Sequence, residues 1–309
     1  MHPTGGSTMK GVHGNEQTNG TRRHCAKTNS WHQSRKRRRQ FTKVFATVIL
    51  TLGAITIMIP LLWMFSTALK SDSELFTNPS FIPQAWAFDN FIKAWKAAPF
   101  TRFFINTCII TFSGVIGSLM SNSIVAYGFA KIRFKGRNII FIAVLATMMI
   151  PGTVTMIPAY ILFSKLKWVG TFLPLIVPAF TGSAYYVFLT RQFMLGIPMA
   201  YSEAAKIEGA SEIRIFSRIV LPLCKPIITT IAVFEFNAKW NDFMGPLLYL
   251  NDERLYTLQI GLQSFKGTAG MEWQKFMSAS IIVLLPVMIL FFFMQKYIIE
   301  GVSIGGVKG

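Results

Sequence analysis

The apolar residues of this chain gather into six runs, near positions 44–68, 103–128, 138–162, 171–194, 226–250 and 277–297. Each run holds about 20 residues or more, enough for a helix to cross a hydrocarbon layer of about 30 Å. The pattern predicts an all-α integral membrane protein with six transmembrane helices. Positions 1–40 break it: they are polar, rich in Gly, Thr, Asn, Arg and Lys, and show no apolar period. Such a segment buries too little apolar surface to order itself. A disordered basic segment over 1–43 and a transmembrane domain over 44–309 are therefore expected. The composition of 1–40 also fits a translation start later than Met1, at Met9 or beyond.

The link between the fourth and fifth runs has a helical pattern of its own. Positions 199–208 read as a short helix, Gly209 as a turn, and 211–220 as a second helix capped by Ser211. Ile213, Phe216 and Ile219 or Val220 share one face, and Arg214 and Arg218 share another. Leu221-Pro222 stops the second helix, and Lys225-Pro226 opens the fifth span. Two short amphipathic helices suit a lipid surface or a groove on another protein equally well. Periodicity does not choose between them.

The second span carries small residues four apart in two rows: Ser113, Gly117, Ser121 and Gly114, Ser118, Asn122. Small side chains let helix backbones approach closely, so this helix should be central in a bundle. Pro151, Pro158, Pro174 and Pro178 interrupt the third and fourth spans. Lipid tolerates such breaks only where protein or a cavity satisfies the freed carbonyls. A transport protein fits these features, and so does any tightly packed bundle.

Charge sets the orientation. Only 14% of residues are charged, about half the share of a soluble domain. The net charge of +18 would suggest nucleic acid in a soluble protein. Here about 21 Lys and Arg lie before the first span or in links on its side, against about nine on the other. That bias predicts both termini inside, with "SRKRRRQ" at 34–40 as a cytoplasmic anchor against lipid and no nucleic-acid partner. Three cysteines show no metal-like spacing, and all four histidines precede residue 33.

No phosphate-binding loop, acid–base pair, nucleophile or metal cluster is visible, so the chain is not expected to be an enzyme. The remaining candidates are ionisable groups within the fifth span, each costly in lipid unless paired or hydrated. Glu235, Lys239 and Asp242 stand at i, i+4 and i+7, sharing a face, with Asn241 adjacent. Three readings stay open for them: a hydrated face lining a translocation path, an ion-pair network locking the span to its neighbours, and a proton relay. An ion-driven secondary transporter would use these charges, but such transporters usually show repeated halves, and no convincing repeat is present.

Glu203-Ala204-Ala205, Gly209 four residues on, and Ile219 with Leu221-Pro222 ten residues further resemble the EAA loop of ABC-importer permease subunits. "PLLWMFSTALK" at 60–70, "FDNFIKAW" at 88–95, "WNDFMGPLLYL" at 240–250 and the tail "GVSIGGVKG" are similar to the carbohydrate-uptake, maltose-type branch. Glu208 stands where that family more often has Asp, and Gly306 where Ala is common. The resemblance covers roughly 44–309 and implies a permease subunit of the inner (cytoplasmic) membrane that moves a sugar or oligosaccharide by alternating access. A glycerol-phosphate or uronate-type substrate is equally compatible. The 199–222 loop would be a cytoplasmic coupling helix and turn seated in a cleft of an ATP-hydrolysing subunit. Glu203 would pair with a cation there, Ala204 and Ala205 would allow close approach, and Gly209 would turn the chain. Phe216, Leu221 and Pro222 would complete the joint. The implied partners are a second, related but different permease, a dimer of ATP-binding subunits and an extracytoplasmic solute-binding protein. This chain would bind no cofactor itself, ATP and Mg being used by the ATPase.

Overall fold

The computed structural model describes the backbone over 17–267 and 270–303, and side chains over 42–75, 77–266 and 271–296. The disorder expected for 1–16 and the tail residues 304–309 fall outside it. The chain divides between Trp63 and Met64 into two units.

Helix α1, Gln17–Ala68, carries the first unit. It starts well inside the stretch expected to be without structure. Gln, Lys and Arg over 33–40 are good helix formers, and a helix nucleated in the apolar run propagates back through them at little cost. From Thr42 to Ala68 it is long and apolar enough to cross a membrane. Val44, Leu50, Ile57 and Leu62 are exposed along it, as suits a helix facing lipid or another chain.

The second unit begins with the short helices α2, Asp72–Thr77, and α3, Asp89–Lys96. Lys70 is buried there and donates to the carbonyls of Asn78 and Ser80, both at 2.7 Å. Helix α4, Phe100–Lys131, is the axis, with α5 (Arg137–Ala146) and α6 (Gly152–Lys165) following. Next come α7 (Leu173–Ile176), a 3-10 turn (Val177–Thr181) and α8 (Ala184–Leu195). The link then forms α9 (Ala200–Ile207), α10 (Glu212–Ile215), a π-turn (Phe216–Val220) and α11 (Leu221–Leu223). Helices α12 (Lys225–Trp240), α13 (Met244–Tyr249) and α14 (Leu258–Gly261) lead to a two-residue antiparallel pair, β1 (Lys266–Gly267) and β2 (Gly270–Met271). Helix α15, Trp273–Ser303, ends the unit.

Three of the six expected spans are not single helices. The third bends by 98° between Met149 and Gly152, around Pro151. The fourth opens on α7 and its 3-10 turn, each with a proline in its first two positions, where a missing N–H costs nothing. The fifth stops at Trp240 and resumes at Met244. Among the described residues, four helical stretches are long and apolar enough to cross a membrane, the broken fourth span included. The number rises to as many as six if two bent pairs each form one span: Arg137–Met149 with Gly152–Lys165, and Glu212–Leu223 with Lys225–Trp240, the latter bent by 78°.

Helix α4 packs against α8, α12 and the 3-10 turn, the central place its small residues predict. At one end Phe100 and Phe103 join Trp240, Leu258, Phe265 and Val283; at the other, Tyr127 joins Met194, Ile215, Val220 and Ile227. Trp240 is almost fully buried and donates its indole N–H to the Val283 carbonyl at 3.0 Å. In lipid, close packing and such bonds hold helices together, since tails are as apolar as the side chains.

Candidate functional site

The link over 199–222 folds as a helix, a turn and a second helix. Gly209 has φ +82° with open space where a Cβ would stand, so its glycine serves the left-handed turn and not a close approach. Ser211 caps α10 by accepting from the Arg214 N–H at 3.4 Å. The face arrangement differs from expectation. Ile213 is 78% exposed, while Ile215 and Val220 are buried. The π-turn widens the helix so that residues five apart share the inner face. Leu221-Pro222 does not stop the helix: Pro222 sits in the first turn of α11, and the break falls at Cys224.

Glu203 and Ala204 point outward, Ala205 inward, and Ile207 stands 88% exposed beside them. Phe216 and Leu221 are half-buried and Pro222 is exposed. The loop thus has an anchored inner face and an outer face carrying apolar side chains beside the exposed carboxylates of Glu203 and Glu208. Its anchors include groups that the sequence pattern did not single out. The Glu212 carboxylate accepts from the Tyr127 hydroxyl of α4 at 2.8 Å and pairs with Lys206 across the turn. Lys206 and Tyr127 hold that carboxyl below the usual carboxylate range. One turn beyond Tyr127, buried Lys131 donates to the Ile197 carbonyl at 2.6 Å. Lys206 and Glu212 are six apart and meet only because the chain reverses at Gly209, so helical spacing could not reveal them.

A second cluster surrounds the broken fourth span. Ser183 N–H donates to Asn122 Oδ1 at 2.7 Å, and Ser121 Oγ donates to the Ala179 carbonyl at 3.0 Å. The Asn122 amide nitrogen is held by the Ser118 carbonyl and hydroxyl at 2.6 and 2.9 Å. Lys239 Nζ donates to the Leu175 carbonyl at 3.0 Å; Pro178, three residues on, has no N–H to offer it. The glycines serve the same joint. A Cβ at Gly117 would fall 2.5 Å from the Phe180 ring, and one at Gly114 would meet the Lys239 stem at 3.1 Å. Ser113 is half-buried on the same helix.

Of the face expected for Glu235, Lys239 and Asp242, the first two lie one turn apart on α12 and Asp242 falls beyond its end. Glu235 is buried and feels the charge of Lys239, whose Nζ donates to Leu175. The helix ends at Trp240, and Asp242 Oδ1 accepts from the Gly245 N–H at 3.0 Å, fixing the turn into α13. Asn241 is exposed and donates to Asn237, while Gln259 donates to it at 3.3 Å.

Residues 113–304 match the family described as the binding-protein-dependent transport system inner membrane component. The chain belongs to this family. The permease is 33% identical over 271 residues to the arabinooligosaccharides transport system permease protein AraQ of Bacillus subtilis, covering 86% of this chain and 96% of that one. It is 30% identical over 267 residues to the sn-glycerol-3-phosphate transport system permease protein UgpE of Yersinia pestis, with 84% and 95% covered. Its fold is that of a bacterial ABC transporter involved in import of the acidic polysaccharide alginate, at TM-score 0.74, 23% identity and 84% and 96% coverage. The permease is a multi-pass subunit of the inner membrane in an ATP-driven importer and not an enzyme.

Proposed function

We propose that this permease moves a sugar or oligosaccharide across the membrane by alternating access, driven through its 199–222 loop by a separate ATPase. Six spans, the third crossing through its bend at Pro151 and the fifth through α12 and α13, put both termini and this loop in the cytoplasm. Residues 1–43 form a basic cytoplasmic segment, and 44–309 the permease domain. A related second permease completes the path, a dimer of ATP-binding subunits uses ATP and Mg, and an extracytoplasmic binding protein delivers the substrate. The relatives' hydroxyl-rich cargo supports the substrate class, as does the amide ledge of exposed Asn237 and Asn241 with half-buried Gln259 at the α12–α13 break. Lys239 and Asp242 shape that ledge from behind, and Lys239 is bound as a structural tie, which favours a lining ledge over a proton relay.

The observation that carries the coupling role is the loop's exposed apolar side chains, Ile207 at 88% one turn from Glu203 on α9 and Ile213 at 78% on α10. Apolar side chains so placed on a water-facing loop suit a protein groove. Glu203→Lys and Gly209→Asp should leave the protein inserted while uptake falls and ATP hydrolysis no longer follows substrate. Normal uptake in membrane vesicles carrying either variant within the assembled importer would sink the coupling role.

A further inference from the structure

From one face, helix α4 grips the 199–222 loop and the chain leading into it. Tyr127 and Lys131 are four apart, so both side chains project from the same side. Lys131 holds the chain two residues before the loop through the Ile197 carbonyl, and Tyr127 holds the loop past its turn through Glu212. The Tyr127 ring also lies 5.1 Å from that of Phe216, just past α10. Glu212 is the node, since its two carboxylate oxygens serve different elements: Oε1 faces Lys206 of α9 and Oε2 takes the Tyr127 hydroxyl of α4.

The same helix continues into the joint of the fourth span. Five residues before Tyr127, Asn122 accepts from Ser183, and Ser121 donates to Ala179. We propose that Glu212 is a positioning residue that fixes the loop to α4 through Tyr127, so that displacement of the loop by the ATPase moves α4 and, with it, the broken fourth span. This deepens the coupling reading above and rests on it. Glu203 and Gly209 would meet the motor, whereas Glu212 and Tyr127 pass its motion inward. The Glu212 side chain is 47% exposed, so its tie contributes little to stability against water and screening. A role in transmission explains why a carboxylate is placed under a buried tyrosine at the root of a docking loop.

Contiguity alone does not demonstrate coupling, so the test is a double-mutant cycle. The assembled importer carrying Tyr127→Phe, Glu212→Ala or both is reconstituted in proteoliposomes, and ATP hydrolysed per substrate moved is measured. Each single variant should raise that ratio about threefold, and the double variant should be no worse than either single one, because both remove one tie. Equal assembly with the ATPase should hold throughout. An unchanged ratio in an assembled complex, or effects of the two changes that multiply, overturns the proposal. So does a merely structural outcome, in which thermal stability drops while the ratio per assembled complex stays at the wild-type value. Failure of the coupling reading itself looks different: the ATPase then fails to co-purify even with the unmodified chain, and both readings fall.

Discussion

The 199–222 loop and the joint around 175–183 both interrupt the apolar spans, yet they treat polar and apolar groups in opposite ways. At the loop, Ile207 and Ile213 face outward, and the ties are made by partly exposed groups such as Lys206 and Glu212. At the joint, Asn122 is 1% exposed and its bonds close on Ser118 and Ser183 within the bundle. A backbone break in an apolar setting must be satisfied locally, because lipid offers no partner. The loop instead turns an apolar face outward. The joint is satisfied within this chain, whereas the described residues leave the loop's Ile207 and Ile213 uncovered.

Substitutions in the two regions should therefore differ in what they disturb. The largest effect is expected for Asn122→Leu, which leaves the Ser183 N–H without its acceptor and should cost about 1–3 kcal/mol. Thermal unfolding in lipid nanodiscs should show a clear drop; an unchanged midpoint would mean the joint does not depend on that bond. Lys239→Met keeps the stem against Gly114 but removes the donor to Leu175. It should cost about 1 kcal/mol while leaving the ATPase bound, as read by the same melt and by co-purification. Ile207→Ser should shift stability by about 0.5 kcal/mol or less yet weaken association with the ATPase. If Ile207→Ser instead destabilised the isolated permease as strongly as Asn122→Leu, the contrast between the two regions would be lost.

Much of the loop was legible because its signals are local. Gly209 supplies a left-handed turn, Ser211 caps the next helix, and Glu203-Ala204-Ala205 lies on α9 where its spacing predicts. The face was misread where the π-turn over Phe216–Val220 changes the residue period, a change no single side chain announces. The small-residue rows of α4 correctly place it at the centre, though their hydroxyls and amide also bond a broken neighbour. The i, i+4, i+7 spacing of Glu235, Lys239 and Asp242 holds for the first two on α12 and fails at Asp242, because it presumes an unbroken helix. Asn241-Asp242-Phe243 ends that helix, and Asp242 caps the following turn.

By itself the sequence determined a helical membrane protein of several crossings, its charge bias and the helix–turn–helix link over 199–222, because hydropathy, charge and turn residues act over one or two helical turns. Only the tertiary structure decided which carbonyls the prolines strand and which side chains reach them: Leu175 meets Lys239 across 64 positions, and Asn122 meets Ser183 across 61. A hydrogen bond is set by distance and angle in space, and the bends that bring those groups together leave no period in the chain.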